Sequence, residues 1–397
     1  MGAFSGIRVL DFGQIYNGPY CGLLMALHGA EVIKVEPPGG ERLRYRSTAA
    51  IETHEFMMLN SCKKSVVLDL KKERGRTLAR QLIGKSDVLI ENFSPGAAEK
   101  IGLGASEVMK ANPRLIYASG KGYGSDGPYA QMSAMDLTVQ AMSGVISTTG
   151  FPDGRPVKAG PAFVDFMGGI HLLAGVAMAL FERERTGQGK FVEVSMHDTV
   201  YPCLASALGA LYNESGRDVP ERTGNMHSGL AISPYNVYRS QDGWIAIITV
   251  AERHFEGVAK TIGHPEITTD PRFADRLTRL ENMAELDRIV EEWTSRHTRS
   301  EAVEALSAER VPCAPVKSIR EVAEDPHLLK RGMIQEVDHP KKGRVRVPAS
   351  AIRFADGSST KLEPAPSLGG DTDAVLRDLL KIDEAEIQDM KKEGVVG

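Results

Sequence analysis

Five short apolar runs in the first third of the chain limit its possible folds more than any other feature. They are 7–12 (IRVLDF), 31–35 (EVIKV), 65–70 (SVVLDL), 87–91 (DVLIE) and 115–119 (LIYAS). Runs of this length bounded by turn residues read as strands buried on both faces. Helical patterns lie between them at 20–27 and 72–84, the first opened by Pro19 and stopped by Gly29. Strands that alternate with helices build a mostly parallel sheet with right-handed crossovers. The expected fold class is therefore α/β, with a Rossmann-like large domain and a further strand at 191–195. Ligands of such sheets lie beyond the carboxyl ends of the strands. Tyr16 and Asn17, the stretch from 37 onward, Asn92 to Ser94, and 121–124 fall there. The turn after the first strand is GQIYNGP, with Tyr16 where a dinucleotide site needs glycine. No nicotinamide cofactor is expected.

The longest helix signal covers 160–189. Apolar residues run from Phe163 to Phe181, and the run ends in a charged turn and Gly187. Asp165 stands at its start. Asp is a favoured N-cap, so a purely structural cap is one reading. The other is chemical. The unpaired N–H groups and the helix dipole there would hold the carboxylate ionised and could stabilise an oxyanion on a bound carbonyl. Gly168 and Gly169 would leave room for a close ligand.

With 397 residues, two domains are expected. A net charge of −4 does not suggest nucleic-acid binding. Cys21, Cys62, Cys203 and Cys313 form no C-x-x-C pair, and the ten histidines form no ligand cluster. No disulfide frame or metal site is expected. No window reads as a membrane span, and the N-terminus enters a strand directly, so the expected location is cytoplasmic. A helix is expected at 197–214, and the texture changes near 217. Two strands, 233–239 and 243–250, and helices near 253–262, 281–296 and 300–308 then suggest a smaller α/β domain. The expected division is 1–216 for the large domain, 217–325 for the small one, and 326–397 for a return to the large one.

Several segments, in order, carry a family resemblance: GIRVLDFGQIYNGPYCGLLMALHGAEVIKVEPPGGE, NSCKKSVVLDLK, SDVLIENFSPG, KGYGSDGPYAQMSAMD, and PAFVDFMGG with ERERTGQGKFVEVSM. The chain resembles the class III CoA-transferases of the CaiB/BaiF type, the family that includes formyl-CoA transferase. The resemblance implies a Rossmann-like domain with an inserted small domain, and an interlocked homodimer. It implies acyl-CoA and carboxylic acid substrates, with coenzyme A entering as a thioester and no permanently bound cofactor. It implies neither a nucleic-acid nor a membrane partner. The carboxylate of the V-D-F segment, Asp165, becomes the catalytic nucleophile. CoA contacts are implied at Tyr16, Asn17, Leu68, Asp69, Leu70, Lys71, Asn92, Phe93, Ser94, Lys100, Met135 and Asp136. Lys71, Lys100 and Arg42 could meet phosphate charge, although Lys71 and Lys100 taken alone read as solvated surface, and Arg42, Arg44 and Arg46 together as an ordinary solvated loop. Asp136 could orient substrate or cap the helix that begins beside it.

The chemistry expected is transfer through an aspartyl anhydride and an aspartyl-CoA thioester, with oxyanion donors sought at 166–169. Two alternatives stay open. An α-methylacyl-CoA racemase would need a histidine where Met135 stands, and a thioether takes no proton at neutral pH. A non-catalytic acyl-CoA-binding protein would need no nucleophile. The region GNMHSGLAISPYN (224–236) lacks the glycine run of formyl-CoA transferase. His227, Ser228 and Tyr235 are candidate acyl-side contacts there, beside ordinary loop and core roles.

Overall fold

The computed structural model describes residues 2–45, 52–212, 220–356 and 361–397. The chain divides into two compact units: Met1–Val139, Pro161–Tyr201 and Asp325–Gly397 form the first, and Gln140–Gly160 with Pro202–Glu324 the second.

The first unit is built on six strands: β1 (Arg8–Asp11), β2 (Glu31–Glu36), β3 (Lys64–Val67), β4 (Val88–Glu91), β5 (Ile116–Lys121) and β6 (Phe191–Ser195). Their order is β3-β2-β1-β4-β5-β6, and every pairing is parallel. This is the doubly wound order, whose direction reverses between β1 and β4. One face packs on helix Glu73–Ile83 and the C-terminal helices, through Leu10, Ile33, Leu78, Leu376 and Met390. The other packs on helix Asn17–Leu27 and helix Phe163–Thr186, through Val9, Met25, Ile116, Leu172 and Val176. Burial on both faces is why these strands read as unbroken apolar runs.

The third strand ends at Val67 rather than at 70, because the chain turns to meet the C-terminal tail. The Asp69 N–H donates to the Val395 carbonyl (2.8 Å), and the Val67 N–H to Thr372 Oγ1 (3.1 Å). This tail covers the sheet edge that β3 would otherwise expose. A hairpin, Ile334–His339 with Gly343–Pro348, completes the unit.

In the second unit, Tyr235–Ser240, Gly243–Ile248 and Cys313–Pro315 form an antiparallel sheet. Helices Glu252–Thr261, Met283–Thr294 and Arg299–Ala308 accompany it around a core of Ile245, Phe255, Val290 and Leu306. The second unit begins at Pro202 rather than at 217, ends at Glu324, and takes in residues 140–160 as well. Residues 140–160 join the second unit because Arg222 donates to the carbonyls of Ser147, Phe151, Pro152 and Gly154, and the Gly224 N–H to that of Gly150. The helix expected at 197–214 is interrupted. Met196–Val200 and Ala205–Tyr212 are separated by a 3-10 turn containing Pro202, whose ring and missing N–H break the ladder. Its expected end at 214, the texture change at 217 and Arg46 lie outside the described residues.

Contrary to expectation, one helix among the described residues is long and apolar enough to cross a membrane: Phe163–Thr186, 24 residues, with a mean hydropathy of 1.7 over its most apolar 18. Its apolar side has another outlet, since Leu172, Leu173, Val176 and Leu180 are buried in the core against the sheet.

Candidate active site

Asp165 is the third residue of helix Phe163–Thr186 and does not cap it. The cap position is Ala162, and no side chain of the helix's own approach closes it. The cap comes from elsewhere. Asp136 Oδ2 accepts the N–H groups of Val164 (3.1 Å) and Asp165 (3.3 Å). Asp136 opens helix Asp136–Met142, whose own start is held by Met135 and Thr138 bonding each other. Gly122, just past β5, makes this placement possible: a Cβ there would lie 1.9 Å from that of Ala134.

The consequence reverses an expectation. The N–H groups that were to hold Asp165 ionised are occupied by a second carboxylate. Among the described residues no group donates to the Asp165 carboxylate. Burial first, and the Asp136 carboxylate second, push its pKa up from 3.8 to about 7. The side chain is 9% exposed. Nor are the N–H groups of 166–169 free as oxyanion donors. They lie inside the helix and enter its ladder, beginning with Phe166 N–H to Ala162 O.

Gly168 and Gly169 face the first helix rather than an open ligand space. A Cβ at Gly168 would stand 2.2 Å from Asn17 Nδ2, and one at Gly169 2.7 Å from the Asn17 carbonyl oxygen. They let two helices touch at the carboxyl edge of the sheet. Asn17 itself is 2% exposed, and neither its Oδ1 nor its Nδ2 has a partner among the described residues. Phe166 is gripped there by Tyr16, stacked at 5.7 Å, and by Tyr20, edge-on at 4.8 Å.

The crevice between β1 and β4 is sutured by Asn92. Its Oδ1 accepts the Gln14 N–H and its Nδ2 donates to the Gln14 carbonyl, both at 2.8 Å. One lone pair and one N–H of that amide are thus used within the protein. Next to it, the Phe93 N–H donates to Glu91 and the Phe93 carbonyl accepts from Lys121, which fixes the turn. The Phe93 ring is half-buried against Phe12 and the core. Leu68 is fully buried and cannot touch a ligand with its side chain. Leu70 packs partly on the same core. Asp69 accepts the Lys71 N–H (3.0 Å). Lys71, Ser94, Lys100 and Met135 are exposed. Of the loop arginines, Arg42 is exposed, whereas Arg44 is fully buried, paired with Glu36 (2.6 Å) and lying over Phe56. His227, Ser228 and Tyr235 belong to the second unit, where the imidazole meets the Tyr235 ring edge-on.

The sequence reading missed a buried ionic group under the loop after β1. Lys63 Nζ reaches Asp11 (2.8 Å), the Pro19 carbonyl (2.8 Å) and Asn60 (2.9 Å). Lys34 Nζ donates to the Gly13 carbonyl (2.8 Å) and lies 3.8 Å from Glu41. The available signal was a lysine inside the apolar run EVIKV. A charge in a strand covered on both faces demands a buried partner.

Residues 4–372 match CoA-transferase family III. The chain belongs to that family. It is 34% identical to the formyl-CoA:oxalate CoA-transferase of Streptomyces coelicolor, over 99% of each chain. It is 35% identical to that of Bradyrhizobium diazoefficiens, over 99% of this chain and 97% of the relative. Among solved structures, a CaiB/BaiF family protein from Brucella suis superposes with a TM-score of 0.83 and 32% identity, covering 95% of this chain and 99% of that one. As a family III CoA-transferase, the protein is an enzyme that moves CoA, with CoA thioesters as substrates.

Proposed function

We propose that Asp165 carries the transfer as a covalent nucleophile. The observation behind this reading is a buried carboxylate with no donor among the described residues, on a helix that meets Tyr16 and Asn17 of the loop after β1. A carboxylate that accepts no hydrogen bond from the described residues has lone pairs to offer an incoming carbonyl carbon. In the ionised form it attacks the thioester, forming an acyl-aspartyl anhydride and expelling CoA thiolate. The thiolate attacks the aspartyl carbonyl, releasing the donor acid and leaving aspartyl-CoA thioester. An acceptor carboxylate then runs the two steps in reverse, and Asp165 is regenerated. The raised pKa makes the carboxylate more basic and hence more nucleophilic, at the cost of being only partly ionised near pH 7. Water must be excluded while the anhydride exists.

Tyr16, Asn17, the 68–71 and 92–94 turns, Lys100, Met135 and Asp136 are proposed to surround the CoA moiety. Lys71 and Lys100, both exposed, are the proposed phosphate partners. The relatives' names point to a small acid such as formate or oxalate. A screen of acyl-CoA donors against carboxylic acids decides the pair. The proposed assembly is an interlocked homodimer, which would cover exposed apolar side chains such as Met178 and Phe181 of the long helix. Four cysteines, none of them in a disulfide, fit a reducing, cytoplasmic setting.

The test is Asp165→Ala together with trapping. Enzyme incubated with acyl-CoA and quenched in hydroxylamine should carry a hydroxamate on the peptide holding Asp165. Appreciable transfer by Asp165→Ala would refute the reading. One observation favours a second reading: a carboxyl near pKa 7 also suits proton transfer at an acyl α-carbon. Incorporation of deuterium from heavy water at that carbon, without acyl exchange, would select a racemase.

A further inference from the structure

We propose that Glu41 is a positioning residue for transfer: it locks Ile15 in a left-handed backbone conformation and thereby seats Tyr16 on Phe166, the residue that follows Asp165. The inference rests on the reading of Asp165 as nucleophile.

In a dinucleotide-binding fold the loop after β1 turns on glycines. Here the loop is Gly13-Gln14-Ile15-Tyr16, and side chains from elsewhere hold its backbone. The Gly13 N–H donates to Asp11 Oδ1 (2.7 Å), and its carbonyl accepts from Lys34 (2.8 Å). Both backbone groups of Gln14 are taken by Asn92. The Ile15 N–H donates to Glu41 Oε2 (3.0 Å). Ile15 has a φ of +64°, a conformation that a β-branched residue adopts only when its surroundings impose it. Two things do so. Its side chain packs on the cluster of Leu43, Phe56 and Met57, and Glu41 grips its N–H. Glu41 is 3% exposed and is itself fixed, its N–H donating to Glu36 Oε2 (3.2 Å). The next residue along is Tyr16, whose ring lies on Phe166. An anchor on Ile15 therefore sets an aromatic contact one residue from the proposed nucleophile.

The strain supplies the test. Without its anchor, Ile15 should relax to negative φ, whereas glycine accepts either sign. Glu41→Ala should lower kcat by roughly five- to thirtyfold, the population cost of a left-handed non-glycine residue. KM for the acyl-CoA should move less than about threefold, because the anchor acts on the reacting end. Glu41→Asp keeps the charge facing Lys34 but falls one methylene short of Ile15. It should lose kcat likewise, and it provides the measurement if Glu41→Ala does not fold. Adding Ile15→Gly to either variant should restore most of kcat. Unchanged kcat per folded molecule in the Glu41 variants, or a double variant slower than its parent, would overturn the proposal. If the wild type does not transfer CoA, or Asp165→Ala still does, the nucleophile reading fails instead, and the two failures are thus distinguishable.

Discussion

Asp11 at the end of β1 and Asp165 at the start of the long helix are the same side chain under similar burial, 0% and 9% exposed, yet their pKa values move in opposite directions. Burial pushes both upward. At Asp11 the Lys63 ammonium at 2.8 Å, with Lys34 and the Gly13 N–H, more than offsets it and holds the carboxyl below its usual range. Among the described residues no cation offsets burial at Asp165, and another carboxylate, Asp136, adds to it. Burial by itself does not make a carboxylate reactive. The partner decides whether it is locked as scaffold or left poised between charge states.

The sharpest break of this contrast is Asp165→Asn. If the carboxylate bonds covalently to the acyl carbon, the isosteric amide should lose transfer by about 10⁴-fold or more, as removal of a nucleophile does elsewhere. Steady-state assay with purified variant checks it, with CoA affinity measured alongside and expected to change only a few-fold.

Removing the cation from the other carboxylate should act on the fold. Lys63→Met leaves Asp11 buried without its main cation and removes the ammonium bonds to Asp11 Oδ2, the Pro19 carbonyl and Asn60 Oδ1. A loss of about 3–5 kcal/mol is expected for an orphaned buried charge, read from urea unfolding at pH 7. A loss below about 1 kcal/mol would mean that Asp11 takes up a proton or finds water at little cost.

The same measurement on Asp165→Asn should go the other way. Folding raises the Asp165 pKa, so between pH 4 and 7 the folded state holds more protons than the unfolded one. Wild-type stability contributed by this group is therefore greatest below the usual 3.8 and falls as pH rises toward about 7. Asp165→Asn removes that loss. It should be more stable than wild type by about 2–4 kcal/mol at pH 8 and nearly equal to it at pH 4. Equal stabilities at both pH values would show that the carboxylate is not strained by its surroundings.

These contrasts also mark what the sequence discloses. Six strands and the long helix were legible because apolar periodicity is local, and Asp165 was legible as a charge at the head of an apolar run. Its environment was not. Nothing in the segment around 136 reveals that its carboxylate crosses to the Val164 and Asp165 N–H groups, since that contact depends on Gly122 yielding space to Ala134. Gly168 and Gly169 suggested ligand room when read alone. Only the approach of Asn17 identifies them as a helix crossing. Arg44 was read with Arg42 as one loop, though one is buried on Glu36 and the other is in water. Pairings between distant segments carry no periodic trace.

The smallest effect separates the two causes of the Asp165 shift. Asp136→Asn keeps an oxygen to accept the Val164 and Asp165 N–H groups but removes the like charge. Burial is the larger cause, so most of the elevation should survive. The acidic limb of kcat/KM against pH should move down by about one pH unit or less. A fall to near 4 would make the carboxylate pair, rather than the dry setting, the origin of the elevated value. Asp165 would then resemble Asp11 in one respect: its titration, too, would be governed by neighbouring charge rather than by burial. An unmoved limb would mean that Asp136 acts only as the cap of the long helix. In that case Asp136→Ala, which lacks the acceptor, should still destabilise the protein by about 1 kcal/mol.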